Sequence, residues 1–122
     1  MKSLSNFSCL VLFIAIILSI AYVPPIIGAG HHVWVHNKLA PGTRARVDAS
    51  DTLDFVMVID EEESTAHKGF NLWIPENYTK FWLEFWVYET TKDAKYRGPY
   101  NNTQDYCWRF HGSEDFWDIN TC

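Results

Sequence analysis

The sequence predicts a single all-β domain, a small antiparallel β-sandwich of about seven or eight strands. Three observations support this fold class. After residue 30, short runs alternate apolar with polar side chains, which is typical of strands buried on one face. Glycine, proline, asparagine and aspartate separate these runs roughly every ten residues. No run carries apolar residues at helical spacing.

The first half of the domain is predicted to form three strands. Val33–His36 alternates valine with tryptophan and histidine before a turn at Pro41-Gly42. Arg44–Asp48 then alternates charged with small apolar residues. Phe55–Ile59 is continuously apolar and too short for a helix, which predicts a buried strand. The acidic run that follows, Glu61–Thr65, is predicted to be a solvated loop.

The second half begins with a short strand at Phe70–Ile74 and a turn at Pro75–Asn77. Phe81–Tyr88 is apolar on both pleat faces apart from one glutamate, so it is predicted to be a central strand. Thr91–Gln104 is predicted to form a loop. The alternating segment Tyr106–His111 follows as the next strand.

The six tryptophans divide into two groups. Three lie at strand periodicity and are predicted to be core residues: Trp82, Trp86 and Trp108. Three are open between core and surface: Trp34, Trp73 and Trp117. Exposed, coplanar tryptophans would favour a secreted glycan-binding, lectin-like module, since indole rings offer large apolar faces for stacking. That module is one alternative function.

Residues 1–30 are predicted to be a cleaved secretory signal peptide, which leaves residues 31–122 as the domain. They contain one charge, Lys2, followed by the apolar run Leu10–Ile20 and a cluster of small residues at 28–30. The apolar run is shorter than the roughly 20 residues of a membrane span, and an uncleaved anchor is the alternative. The protein is therefore predicted to be secreted, without membrane insertion after cleavage.

The charge balance and the motif search exclude several function classes. Ten lysine and arginine residues face fifteen acidic residues, for a net charge of −5. Binding to nucleic acid depends on clustered basic residues, so no nucleic-acid partner is expected. The chain has no Gly-x-Ser-x-Gly motif and no glycine-rich phosphate loop. We therefore predict a non-enzymatic protein without a cofactor.

Two further features agree with secretion. Once the signal peptide and its Cys9 are removed, Cys107 and Cys122 remain, and an even count in a secreted chain predicts one disulfide. Free or intermolecular thiols are the alternative. Sequons for N-glycosylation begin at Asn77 and Asn101, each in a turn-like segment. Both asparagines are predicted glycosylation sites.

A series of short segments resembles the plant self-incompatibility protein S1 family, also called S-protein homologues. The segments lie in the order of the family pattern: His32–Leu39, which ends in Asn-x-Leu, then Asp48–Asp51, Phe70–Asn77, Phe81–Leu83, Tyr88–Asp93 and Cys107–Phe110. The match covers most of residues 32–112, and its order and spacing are more specific than any single segment. It implies a small secreted β-sandwich.

The cysteines depart from the family pattern of two disulfides. Asp48 and Leu83 occupy the positions of one bridge, so both of its halves are missing together. The family cysteine that precedes the position of Cys107 is also absent. The resemblance therefore implies that Cys122 replaces it and pairs with Cys107.

The resemblance also implies a secreted signalling protein that a cell-surface receptor protein in the plant apoplast recognises. Loops on a rigid scaffold commonly carry binding. The candidate partner-binding loop is acidic and consists of Asp60, Glu61, Glu62 and Glu63. Its charge would steer the protein towards a basic patch, so neutralising its glutamates is expected to weaken binding without affecting folding. The sequence makes no prediction about the oligomeric state.

His31 supports a further alternative, a Cu(II)-binding protein. Cleavage after Gly30 would make His31 the N-terminal residue, whose α-amine and imidazole can chelate copper together. A second imidazole would come from one of four residues: His32, His36, His67 or His111. Such a site would resemble the histidine brace of lytic polysaccharide monooxygenases. The preferred interpretation includes no metal.

Overall fold

The computed structural model describes residues 30–122, which form eight β-strands. The strands are β1 (His31–Leu39), β2 (Arg44–Ser50), β3 (Val58–Thr65), β4 (Phe70–Ile74), β5 (Lys80–Val87), β6 (Lys95–Asn101), β7 (Tyr106–Gly112) and β8 (Asp118–Thr121). Sheet A has the order β4-β1-β7-β8 and sheet B the order β3-β2-β5-β6. The predicted all-β sandwich is confirmed. The predicted signal peptide, apart from Gly30, lies outside the described residues.

The core lies between the two sheets and is rich in aromatic side chains. Phe85 of β5 contacts Trp108 and Phe110 of β7, with ring centroids 5.4 and 5.7 Å apart. Phe81 and Trp117 are completely buried. Burial of such large apolar surfaces is the main favourable term in folding, so these cross-sheet contacts hold the sandwich closed.

All the strand pairs within the described chain are antiparallel except β1 and β7. These two strands run parallel, with Val33 opposite Tyr106 and Leu39 opposite Gly112. They are far apart in sequence, so no hairpin forces them to run in opposite directions. None of residues 30–122 forms a helix with the length and apolar character that a membrane span requires.

Strand β5 is central, as predicted, with β2 on one side and β6 on the other. Two of the three tryptophans predicted to be core residues are not in the core. Trp82 and Trp86 are half-buried on the outer face of sheet B, because only side chains of the same sheet cover that face. Trp108 is 6% exposed, which confirms its prediction, and Trp117 is a core residue as well.

Three segment predictions were wrong. The apolar run Phe55–Ile59 is not a buried strand, since Val56 and Met57 are exposed and β3 begins only at Val58. The acidic run Glu61–Thr65 is not a loop but most of β3, because it completes the backbone hydrogen bonds of β2. The predicted loop Thr91–Gln104 contains β6, which pairs with β5 for the same reason.

The predicted disulfide joins Cys107 of β7 to Cys122, with the two Cα atoms 5.4 Å apart. It closes a segment with a sequence separation of 15 that contains β8. A loop of this length contributes about 3 kcal/mol in the chain-entropy account of disulfides. The bridge therefore anchors β8, one of the two edge strands of sheet A.

Candidate functional surfaces

The outer face of sheet B is organised around Arg46 of β2. Its Nε donates a hydrogen bond to Asp48 Oδ1 at 2.8 Å, and its terminal nitrogens pair with Glu61 and, at 3.6 Å, with Glu63. The guanidinium also lies over the ring of Trp86, 5.9 Å from its centroid. The hydrogen bond to Asp48 raises the pKa of Arg46 above its ordinary value. Arg46 thus joins three carboxylates of β2 and β3.

Two carboxyl groups lie side by side next to this network. Asp48 and Glu84 are directly opposite each other in the ladder of β2 and β5, and Asp48 is 6% exposed. Burial raises the pKa of Glu84, and the hydrogen bond from Tyr96 acts in the opposite direction. Two adjacent carboxyl groups can perform general acid–base chemistry. Here Asp48 forms an ion pair with Arg46, which explains in structural terms why a second carboxyl group lies beside Glu84.

The other carboxylates of β3 join the two sheets. Asp60 Oδ2 accepts the backbone N–H of Trp73, and Glu62 Oε2 accepts that of Asn71, each at 2.9 Å. Strand β4 is an edge strand, so these amides have no ladder partner on that side. The four residues predicted as a partner-binding loop, Asp60–Glu63, are thus strand residues whose carboxylates all contact other parts of the chain.

An exposed apolar segment connects β2 to β3, and we call residues 51–57 the apolar loop. Val56 is 75% exposed, Met57 71% and Leu53 53%. Phe55 is half-buried and packs against Tyr96 with ring centroids 5.6 Å apart. Contiguous exposed apolar side chains of this kind are typical of interaction sites.

Hydrogen bonds give the apolar loop a defined shape. Ser50 Oγ donates to the carbonyl of Met57 at 2.8 Å. Asp54 Oδ1 accepts from the hydroxyl of Thr52 at 2.5 Å and from the N–H of Val56 at 3.1 Å. The same two bonds, the hydroxyl first, lower the pKa of Asp54. The exposed side chains are therefore held on a preformed turn.

The outer face of sheet A carries two exposed tryptophans. Trp34 is 42% exposed and Trp73 is 40% exposed. His32 lies between them, stacked on Trp34 at 4.7 Å and 24° and edge-on to Trp73 at 4.8 Å and 60°. Such different angles to the same imidazole mean that the indoles are not coplanar. The coplanar platform of the lectin-like alternative is thus not formed by this pair.

His31, the candidate copper ligand, lies at the start of β1. Its Nδ1 is 2.9 Å from Oδ1 of Asn102. The neighbouring His32 projects to the opposite face, because successive side chains of a strand alternate. The cleavage that would make His31 the N-terminal residue lies outside the described residues, so copper binding stays a prediction.

Both candidate glycosylation sites are accessible. Asn77 is exposed in the turn after β4, and Asn101 is exposed at the end of β6. The side chain of Asn102 donates hydrogen bonds to the carbonyls of Pro75 and Tyr78, both at 2.9 Å. This amide ties the turn that bears Asn77 to the strand end that bears Asn101. Occupancy of both sites stays a prediction.

One group of side chains in residues 30–122 has the compactness of a metal site: His36, Cys107 and Cys122, whose candidate ligand atoms lie within 4.8 Å of one another. The two sulfur atoms form the disulfide, so they are not the thiolates that bind zinc. The group is therefore explained by the bridge and the exposed imidazole beside it.

Sequence reasoning identified some of these residues but not their arrangement. It singled out Trp34, Trp73 and the acidic run, but it identified neither the ion-pair network of Arg46 nor the exposure of the apolar loop. Neither a protein-family model nor a curated protein matches this chain. Functional conclusions therefore depend on the chemistry of the surfaces themselves.

Proposed function

We propose that this is a secreted, non-enzymatic plant signalling protein of the self-incompatibility S1 type. In this proposal it acts on a cell-surface receptor protein through the apolar loop. The observation that carries the proposal is the exposure of Leu53, Val56 and Met57 on a preformed turn. An ordered loop loses little conformational entropy on binding, so its apolar surface contributes more fully to affinity.

The charges around the loop favour one kind of receptor site. Asp51 precedes the apolar side chains and Asp54 lies among them, and the exposed carboxylates of Glu61 and Glu63 lie on the adjoining strand. The complementary surface is an apolar pocket with a basic rim, and the acidic groups would speed association with it. Glu61 and Glu63 thus keep a steering role in the proposal, while the apolar loop supplies the contact.

Export is supported by independent features of the chain. The first 30 residues have the composition of a signal peptide. A disulfide between Cys107 and Cys122 suits an oxidising compartment. The two exposed sequon asparagines suit a glycoprotein that passes through the secretory pathway. The resemblance to S-protein homologues accounts for all three.

The apolar loop can be tested with a triple variant, Leu53→Ser, Val56→Ser and Met57→Ser. We expect saturable binding of the labelled protein to plant protoplasts, lost when the cells are treated with protease. The triple variant should bind at least tenfold more weakly, because contacts at the centre of an interface dominate its affinity. Its unfolding free energy should change by less than about 0.5 kcal/mol, since the altered side chains are exposed.

Phe116→Ser is the matched control, because Phe116 is 80% exposed but lies outside the loop. It should bind like the unaltered protein. If the triple variant bound as tightly as the unaltered protein, the apolar loop would not be part of the interface. Binding to isolated cell walls but not to protoplasts would contradict the receptor proposal itself.

A further inference from the structure

A groove on the outer face of sheet A has the composition of a small-ligand site. It has a volume of about 270 Å³ and is lined by Trp34, Val35, His36, Gly69, Phe70 and Asn71. Val35 pairs with Phe70, so Gly69 follows at the position opposite His36. Glycine has no side chain to fill this space, and the groove stays open between β1 and β4. We call it the Trp34 groove.

The indole of Trp34 is fixed in place beside this groove. His32 stacks on it at 4.7 Å, and its β7 neighbour is Cys107, which carries the disulfide. The indole is nevertheless 42% exposed. A held, accessible aromatic ring is a platform for the apolar face of a ring-shaped ligand. A sugar ring presents such a face.

Polar groups next to the indole have the geometry to bind hydroxyl groups. The Nδ1 of His32 lies 2.6 Å from Oδ1 of Asn71, which orients the amide of Asn71. The amide nitrogen of Asn71 takes part in no hydrogen bond within residues 30–122 and is available as a donor. His36 is exposed on the other side of the groove. One aromatic wall with a few oriented polar groups is typical of small-molecule sites.

The same face carries two basic residues, Lys38 and Arg109, that have no acidic partner within residues 30–122, whereas His111 lies opposite Asp118 of β8. The ladder of β1 and β7 places Arg109 opposite His36 and His111 opposite Lys38, and all four residues are exposed. Within the described part of the chain, neither Lys38 nor Arg109 forms an ion pair. The nearby Asp118 of β8 is paired with Lys95 at 2.5 Å.

We infer that the Trp34 groove binds an acidic saccharide, a pyranose ring that bears a carboxylate. The sugar ring stacks on Trp34, its hydroxyl groups meet Asn71 and His36, and its carboxylate pairs with Arg109. Guanidinium groups bind carboxylates with two parallel hydrogen bonds, which selects uronic acids over neutral sugars. This inference does not rest on the proposed receptor function, because the groove and the apolar loop are separate surfaces in different sheets.

The test uses a tetramer of galacturonic acid, a neutral glucose tetramer and a sulfated oligosaccharide of the same length, each titrated calorimetrically. We expect the uronic-acid tetramer to bind at least tenfold more tightly than the neutral tetramer, with an affinity that falls as salt is added. Trp34→Ala and Arg109→Gln should each weaken its binding about tenfold. Trp34→Phe should restore most of the affinity, because it keeps an aromatic platform.

Two control variants separate a local site from general effects. Lys80→Gln removes one positive charge from sheet B, and Phe116→Ala removes an exposed aromatic ring that does not line the groove. Both should bind the acidic tetramer within twofold of the unaltered protein, with unchanged far-ultraviolet circular dichroism.

Three results would overturn the inference: equal affinity for acidic and neutral tetramers, tighter binding of the sulfated sugar, or full binding by Arg109→Gln. The same groove variants should bind protoplasts normally, whereas the apolar-loop variant should bind the acidic tetramer normally. Failure of one proposal is thus distinguishable from failure of the other.

Discussion

The apolar loop and strand β3 are adjacent in the chain and opposite in character. The loop exposes Leu53, Val56 and Met57 to solvent, although all three are side chains that favour burial. Strand β3 carries four consecutive acidic residues, and each of their carboxylates contacts another part of the chain. The apolar side chains of the loop are thus largely uncovered, whereas the carboxylates of the next segment have hydrogen-bond or ion-pair partners.

This difference assigns the two segments to different tasks. The buried carboxylate of Asp48 beside Arg46 and the carboxylates that accept the free amides of β4 hold the sandwich together, so losing these contacts reduces stability. Apolar side chains that are mostly exposed contribute little to stability, so their exposure is better explained by a partner. Asp60 and Glu62 of the acidic strand thus have a structural role, whereas the apolar loop, with Glu61 and Glu63 beside it, is the proposed partner surface.

Replacing Arg46 with methionine has the largest expected effect. The change leaves the buried carboxylate of Asp48 beside Glu84 without its cation, and an uncompensated charge of this kind costs about 3 kcal/mol. Urea unfolding followed by tryptophan fluorescence measures the loss. Arg46→Lys, which keeps the charge but not the planar fork, should lose less. If the free energy of unfolding of Arg46→Met were unchanged, the ion pairs of Arg46 would not contribute to stability.

The double variant Asp60→Ala with Glu62→Ala comes next. It deprives the N–H groups of Trp73 and Asn71 of their acceptors, which costs about 2 kcal/mol for two hydrogen bonds near the surface. It also bares the edge of β4, so size-exclusion chromatography should show association at high concentration. The control is Glu61→Gln with Glu63→Gln, which touches exposed ion pairs and should cost less than about 1 kcal/mol. Equal losses in both variants would contradict the division within β3.

The smallest expected effect is a pH-dependent gain. Burial raises the pKa of Glu84 in the folded protein above its ordinary value of 4.5. The contribution of Glu84 to stability is thus complete below that value and is lost as the pH rises through the raised pKa. Glu84→Gln should be more stable than the unaltered protein at neutral pH and equally stable near pH 4. Thermal unfolding at both pH values measures this, and a gain of the same size at both would contradict it.

Alternation identified the strands with one buried face and failed for two edge strands. Strands β1, β2 and β7 were predicted because apolar and polar residues alternate along them, and β5 was predicted because both of its faces are largely apolar. Strands β3 and β6 were not, because one is acidic and the other contains Gly98 and Pro99. Both strands form because β2 and β5 provide partners for their backbone hydrogen bonds. A local side-chain pattern does not show whether such a neighbouring strand is available.

The sequence predicted only part of the candidate sites. Trp34 and Trp73 were open to either environment, and the structure places both on the outer face. Arg109 carried no signal, because its position near Trp34 depends on pairing between β1 and a strand some 70 residues later. The apolar loop was mistaken for a buried strand, since composition alone does not reveal whether a covering layer exists.

The sequence by itself determined the all-β class and the position of the central strand, and it favoured a disulfide between Cys107 and Cys122. These follow from side-chain periodicity and from cysteine count, which are local or countable properties. Only the tertiary structure decided which apolar run is covered, which charges are neutralised and which cations remain beside an exposed indole. Those outcomes depend on which strands become neighbours, and burial and charge pairing are properties of neighbours in space.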